Sequence, residues 1–277
     1  MLLPSPIWVK CIAKGDPRMS KFIDAANWLD HQHKNRQTFK NFDNKFGLET
    51  YEDAYCVQNA LQNIWSYKGK LSGYKLALTS KPIQEMFGVD IPIKGNIFAE
   101  TILHGDRTVF LSDYVNLGIE FEVCVEIGED FGKETNGLTI KDCYRKIAAI
   151  YPAFELIDDR NANYDAVSLI SATADNAWNA NSILGSRETN FQNLDFCQNP
   201  VTKIINGEVD YSQTGAALAN PFNSVLWIAN YLSEHGEELL AGQLIMTGST
   251  FATYFPQTGD EITYNVQDIG EVKIEIV

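Results

Sequence analysis

Two textures of hydrophobic patterning divide the chain. Over residues 19–37 the apolar positions Phe22, Ala25, Ala26 and Leu29 recur at the spacing of one helical face. A second helix is predicted over 50–67, with Thr50 as its cap and Glu49, Glu52 and Asp53 near its positive end. After Gly73 the pattern changes to short apolar runs broken by turn residues, at 74–78, 96–103, 108–111, 118–127, 149–156 and 182–186. Further runs follow at 201–205, 208–211, 244–247, 261–265 and 271–277, and together they predict a β-rich body. Asn206-Gly207 between two of these runs marks a tight hairpin, because a type I′ turn needs positive φ at both central residues. Helices are expected near 81–87 and 139–146, and a longer one from Pro221 to His235, with Asn220 as cap, Phe222, Val225, Leu226, Ala229 and Leu232 as its core stripe and Gly236 as its stop. The fold class is α+β: a helical arm over 1–70 and a β-rich core over 71–277.

Charge interrupts this pattern in few places, and those are the candidates for chemistry. Glu120 and Glu122 lie two apart in an otherwise apolar strand, so alternation puts both carboxylates on one sheet face. Alternation alone also yields the solvent face of an amphipathic strand. Glu155, inside Ile150-Tyr151-Pro152-Ala153-Phe154-Glu155-Leu156-Ile157, is harder to place at a surface, since a buried carboxylate is costly unless something positive neutralises it. Three acids converging out of water would suit a hard divalent cation with positions left open for an oxygen-rich substrate. Lys75, in another apolar strand, is either an inward acid/base group or an edge lysine that snorkels. Asp158, Asp159 and Arg160 read as a surface ion-pair group. The polar run from Thr173 to Asn179 could orient a substrate or simply form a capped loop, and His31 and His33 fall on what reads as an exposed helix.

Size and composition narrow the classes. The 277 residues, 45% hydrophobic, suffice for a full core. A net charge of −14 argues against a nucleic-acid partner, and an anionic substrate would need a local positive centre such as a metal ion with a lysine. No apolar run is long enough to span a bilayer, and prolines break the apolar start at residues 1–8. Five scattered cysteines without a C-x-x-C pair suit a reducing cytoplasm. Nucleotide loops, nucleophile elbows and zinc motifs are absent from the sequence.

Taken as an ordered set, several segments resemble the 2-keto-4-pentenoate hydratase / 4-oxalocrotonate decarboxylase group of the fumarylacetoacetate hydrolase superfamily. They are Gly73-Tyr74-Lys75-Leu76-Ala77-Leu78-Thr79-Ser80, Phe87-Gly88-Val89-Asp90-Ile91-Pro92, the Glu120/Glu122 strand, Pro152 to Arg160, Asp175-Asn176-Ala177, Gly215-Ala216-Ala217-Leu218, Ala241-Gly242-Gln243, Gly248-Ser249 and Gly259-Asp260. The resemblance spans roughly residues 50–277. It implies a mixed β-roll or sandwich core of the fumarylacetoacetase C-terminal type, a homo-oligomer, and Mg2+ or Mn2+ on Glu120, Glu122 and Glu155. It also implies Lys75 and Asn179 as catalytic groups, with Thr79, Ser80, Asp90, Asp175, Asn176, Trp178 and Ser249 as substrate contacts. The implied reaction is hydration of a 2-hydroxy-2,4-dienoate or its 2-oxo tautomer through an enolate that the ion stabilises. Decarboxylation, tautomerisation or carbon–carbon hydrolysis would use the same enolate, and a catalytically quiet partner subunit is a further alternative.

The departures point to a more apolar pocket. Ile93 and Lys94 stand where the hydratases carry an aspartate and an aromatic residue, and an isoleucine cannot transfer a proton. Gly118 replaces a common arginine, Trp178 fills a place that is usually small, and residues 250–255 lack the arginine that some dicarboxylate-using members carry.

Overall fold

The computed structural model describes residues 19–133 and 137–277; the apolar start at 1–8 lies outside them. The arm comprises α1 (Met19–Lys34), a short α2 (Asp43–Phe46) and α3 (Tyr51–Ile64), which ends in the 3-10 turn Trp65–Lys68. Thr50 caps α3, its hydroxyl accepting from the Asp53 N–H at 3.1 Å. The stripe Phe22, Ala25, Ala26 and Leu29 is buried with Val57, Leu61 and Trp65 in one cluster that also takes in Phe98 and Ala174 of the body. At about 1.5–3 kcal/mol for each large apolar side chain buried, this face fastens the arm where it meets the body.

The body runs β1 (Leu71–Ala77), α4 (Lys81–Phe87), β2 (Ile93–Phe98), β3 (Ile102–His104), β4 (Arg107–Val109), β5 (Leu117–Ile127), α5 (Ile140–Arg145) and β6 (Ile147–Asp158). It continues through α6 (Leu169–Ala174), β7 (Asn179–Leu184), β8 (Pro200–Ile205), β9 (Glu208–Gln213), α7 (Pro221–Glu234), β10 (Leu244–Ser249), β11 (Glu261–Val266) and β12 (Gly270–Ile276). The hairpin at Asn206-Gly207 forms between β8 and β9, with both residues at positive φ. Where the pattern predicts one strand over 96–103, the chain makes two, separated by the 3-10 turn Ala99–Thr101. The helix α6 goes unpredicted because six residues are too few to show a helical period.

That split strand explains the shape. The large sheet has the order β2-β1-β10-β5-β6-β7-β3, so β2 and β3 are its opposite edges, yet only the three residues Ala99–Thr101 separate them in sequence. A link that short requires the sheet to curl until its edges nearly meet, which makes the body a β-roll. The second sheet, β4-β12-β11-β8-β9, covers the outside of the curl. Phe121 and Phe154, direct cross-strand partners, pack outward there against Tyr264. By alternation the other face of β5 and β6 looks into the curl, where Cys124, Ala153, Leu184, Met246 and Ile97 form a small inner core. Glu120, Glu122 and Glu155 lie on this inner face.

Cys124, Cys143 and Cys197 are free thiols. No described helix is long and apolar enough to cross a membrane.

Candidate metal centre and substrate cavity

Strand register brings the acids together. Glu120 on β5 pairs directly with Glu155 on β6, and Glu122 follows on the same face. One carboxylate oxygen from each of the three lies within 4.8 Å of the other two. Glu122 and Glu155 have no exposed surface at all, which rules out a solvent face for this strand.

Each carboxylate is held by one oxygen. Glu122 Oε2 accepts from the Gly248 N–H at 2.8 Å, and Glu120 Oε1 accepts from the Thr253 hydroxyl at 2.9 Å. The backbone can approach Glu122 because residue 248 is glycine: its φ is +107°, and a Cβ there would lie 2.2 Å from Thr79 Oγ1. Glu155 Oε1 accepts from Asn179 Nδ2 at 3.0 Å and pairs with Lys75 Nζ at 3.1 Å. Glu122 Oε1 and Glu155 Oε2 are buried without a hydrogen-bond partner among the described residues. Two orphaned carboxylate oxygens are a large uncompensated cost, and a hard divalent cation is the group that would relieve it. The donor set is all oxygen, as Mg2+ and Mn2+ prefer.

Electrostatics agree with this geometry. Burial, and then Glu155 and Glu120, push the Glu122 carboxyl well above its usual range. Burial raises Glu155 to about 7 against the opposing pull of Lys75. Burial alone would lower Lys75, but Glu155, Glu120 and Glu122 together more than offset it, so the ammonium is held above its ordinary value. The cluster is thus a buried cation among three acids, with excess negative charge left for an ion.

Lys75 and Glu120 open onto a cavity of about 420 Å³ whose wall also includes Thr79, Ser80, Trp178 and Ser249. The remaining expected contacts are not in its lining. Asp90 is exposed beyond α4. Asp175 and Asn176 are buried, and their polar atoms are used internally: Asp175 bonds Arg160 and, at 2.6 Å, His33, while Asn176 is tied to the backbone of Asn96. Asp159 and Arg160 are likewise buried rather than on the surface, and His33 joins the arm to the body. Thr253 and Tyr164, which also contribute to the site, carry no sequence signal, since a hydroxyl and a loop phenol look the same elsewhere in the chain, while Gly248 stands in the Gly248-Ser249 motif, which does not show that its amide will bind Glu122.

The Asp175 carboxyl is held below its usual range, since Arg160 and His33 outweigh the effect of burial. Arg160→Met would remove its buried partner, and unfolding in urea should show a loss of about 3–5 kcal/mol, the cost of breaking a buried ion pair. A loss below about 1 kcal/mol would mean that the pair is of the weak surface kind.

Fold and site together define an enzyme that handles an oxygen-rich small molecule at a three-carboxylate centre for a divalent cation. No family model matches the chain. Among curated proteins it is 33% identical over 236 residues to a 4-oxalocrotonate decarboxylase of Pseudomonas putida, covering 84% of this chain and 88% of the relative. It is 26% identical over 230 residues to 2-keto-4-pentenoate hydratase 1 of Dechloromonas aromatica, covering 82% and 86%. The solved 4-oxalocrotonate decarboxylase from Pseudomonas putida G7, complexed with magnesium and adipate, superposes with a TM-score of 0.86 at 30% identity, over 93% of this chain and 98% of that one. Fumarylpyruvate hydrolase from Pseudomonas aeruginosa, in complex with Mn2+ and pyruvate, shares the fold at a TM-score of 0.58 and 12% identity, over 74% and 88%. The chain belongs to the 2-keto-4-pentenoate hydratase / 4-oxalocrotonate decarboxylase group of the fumarylacetoacetate hydrolase superfamily, and its Glu120, Glu122 and Glu155 form a cluster able to hold a divalent cation.

Proposed function

We propose that the protein is a divalent-cation-dependent lyase for 2-oxo or 2-hydroxy-dienoic acids, with Glu120, Glu122 and Glu155 holding the ion and Lys75 moving the proton. The observation that carries this reading is the Lys75–Glu155 pair at 3.1 Å, buried at the wall of the cavity beside two carboxylate oxygens without partners. When bound, the ion supplies a Lewis acid that polarises the substrate's 2-oxygen. Lys75, kept protonated by the three glutamates, gives a proton to the enolate that forms and can recover it in the reverse direction. The hydroxyls of Thr79, Ser80 and Ser249 offer donors to the substrate's carboxylate. Asn179 stands outside the proton path and steadies Glu155.

The rest of the cavity bears on the outcome. Ile83, Ile93, Val167, Leu169 and Phe251 form an apolar wall, and among the described residues the only charged side chains in the lining are Lys75 and Glu120. Adding water to a distal alkene calls for an acid/base group at that end, and this wall has none. Loss of carbon dioxide needs none. The electron pair of the breaking carbon–carboxylate bond moves through the conjugated chain to the 2-oxygen, which takes the proton, and an apolar wall speeds departure of a carboxylate by leaving it poorly solvated. Decarboxylation is therefore the favoured outcome, in line with the decarboxylase relative at 33% identity, and hydration is the second reading, supported by the hydratase relatives. The expectations of a cytoplasmic homo-oligomer go with this reading.

An NMR time course in deuterated buffer tests it, with 4-oxalocrotonate and 2-hydroxypenta-2,4-dienoate supplied separately, with and without Mg2+. Metal-dependent release of carbon dioxide from 4-oxalocrotonate is expected. A 4-hydroxy-2-oxo acid from the dienoate would establish hydration instead. Absence of both products and of metal-dependent deuterium uptake would overturn the lyase reading.

A further inference from the structure

Asn176, Ala177 and Trp178 all have positive φ, at +55°, +47° and +59°. Three consecutive non-glycine residues in the left-handed region cost on the order of 1–2 kcal/mol each, and such a turn persists only where its surroundings impose it. Here they do. Asn176 Oδ1 accepts from the Asn96 N–H at 2.6 Å while its Nδ2 donates to the Asn96 carbonyl at 2.9 Å, which clamps the turn to β2. The close approach depends on Gly95, where a Cβ would lie 2.5 Å from the Asn176 carbonyl oxygen. On the other side Asp175, fully buried, is fixed by Arg160 of the body and His33 of α1, and its carbonyl accepts from the Trp178 N–H at 3.0 Å. The residue that leaves this turn is Asn179, whose amide reaches Glu155 Oε1.

We propose that Asp175 and Asn176 are positioning residues: they hold the left-handed turn and through it aim Asn179 at Glu155, so that Glu155 Oε1 is occupied and Oε2 is presented to the cation. The inference rests on the proposed cation site but adds to it, because neither residue lines the cavity or touches a carboxylate of the triad. It assigns them a role distinct from the substrate contact expected from the sequence. Partners of this kind orient ligands and typically change metal affinity 10–100-fold.

The test is Mn2+ calorimetry on the full chain carrying Asn176→Gly, Asn179→Ala or both, with a thermal melt of each. Glycine accepts the left-handed φ and removes only the clamp on Asn96, so the variant isolates positioning from strain. Each single variant should weaken Mn2+ binding by about 10–100-fold. The double variant should bind no more weakly than Asn179→Ala alone, because both changes remove the same contact. Asn176→Asp, which keeps the acceptor for the Asn96 N–H and loses the donor, should fall between wild type and Asn176→Gly, and serves if the glycine variant does not fold. A lowered melting temperature with unchanged Mn2+ affinity would assign Asn176 a purely structural role and overturn the inference, as would losses that multiply in the double variant. Failure of the unaltered chain to bind Mn2+ would overturn the cation site itself, and the positioning role with it.

Discussion

Glu155→Gln removes divalent-cation binding, weakening Mn2+ affinity by more than about 100-fold, beyond what loss of an outer-shell partner costs. The substitution is nearly isosteric, so packing in the roll is preserved while the charge that faces both Lys75 and the other two glutamates disappears. Turnover should fall with it. In the metal-free protein the same change stabilises the fold, because burial holds both Glu122 and Glu155 above their usual carboxylate range, with Glu155 and Glu120 adding to the rise at Glu122 and Glu120 adding to it at Glu155. The sign follows from linkage: the folded state binds the Glu155 proton more tightly than the unfolded chain does, so this contribution is fully present below pH 4.5 and is lost as pH rises through about 7. Unfolding curves of the metal-free chain should therefore show stability declining over that window. Glu155→Gln should flatten the decline, and so should Mg2+, which replaces the proton as the positive partner. Equal pH dependence in wild type and variant would mean that Glu155 does not titrate in that window.

Lys75→Met, by contrast, separates binding from chemistry. Methionine fills much of the space of the lysine stem in a strand position that is 1% exposed, so the fold should tolerate it, and the three carboxylates remain in place. Removing a positive charge from beside Glu155 leaves more negative charge for the ion, so Mn2+ should bind at least as tightly as in wild type. Turnover should nevertheless fall by about 10²–10⁴-fold, the usual contribution of a positioned general acid/base. Metal-dependent deuterium exchange at the carbon next to the 2-oxo group should be lost in parallel. A variant that binds Mn2+ and still exchanges at the wild-type rate would show that another group carries the proton.

Much of the site is legible in the sequence because charges are conspicuous in apolar strands. Glu155 within Ala153-Phe154-Glu155-Leu156-Ile157 and Lys75 within Tyr74-Lys75-Leu76 stand out for the same reason that they are costly to bury alone. The pairing of Asn206-Gly207 is equally local, since φ at a hairpin turn is set by the two residues that make it. What is not legible depends on long-range register. Nothing near Lys75 in sequence shows that β1 will lie two strands away from β5, with β10 between them, or that the lysine will reach Glu155 on β6 at 3.1 Å. His33 and Arg160 look like surface polar groups because each is read among its sequence neighbours, although their shared buried partner Asp175 lies 142 and 15 positions away. The split of the 96–103 run into two edge strands is likewise a consequence of closing the roll, as both halves are apolar enough to continue as one strand. The left-handed turn at 176–178 is hidden for a related reason: Ala and Trp do not favour positive φ, and the clamp on Asn96 and the anchoring of Asp175, both long-range, impose it.

Anomalous diffraction from crystals soaked in Mn2+ tests whether Glu120, Glu122 and Glu155 jointly hold the catalytic cation. A strong anomalous peak is expected on the inner face of β5 and β6, within about 2.0–2.6 Å of one oxygen from each glutamate, as hard-cation coordination requires. Glu122 Oε1 and Glu155 Oε2 should be among those oxygens. A peak at another site, or none on the triad at Mn2+ concentrations that support turnover, would contradict that assignment.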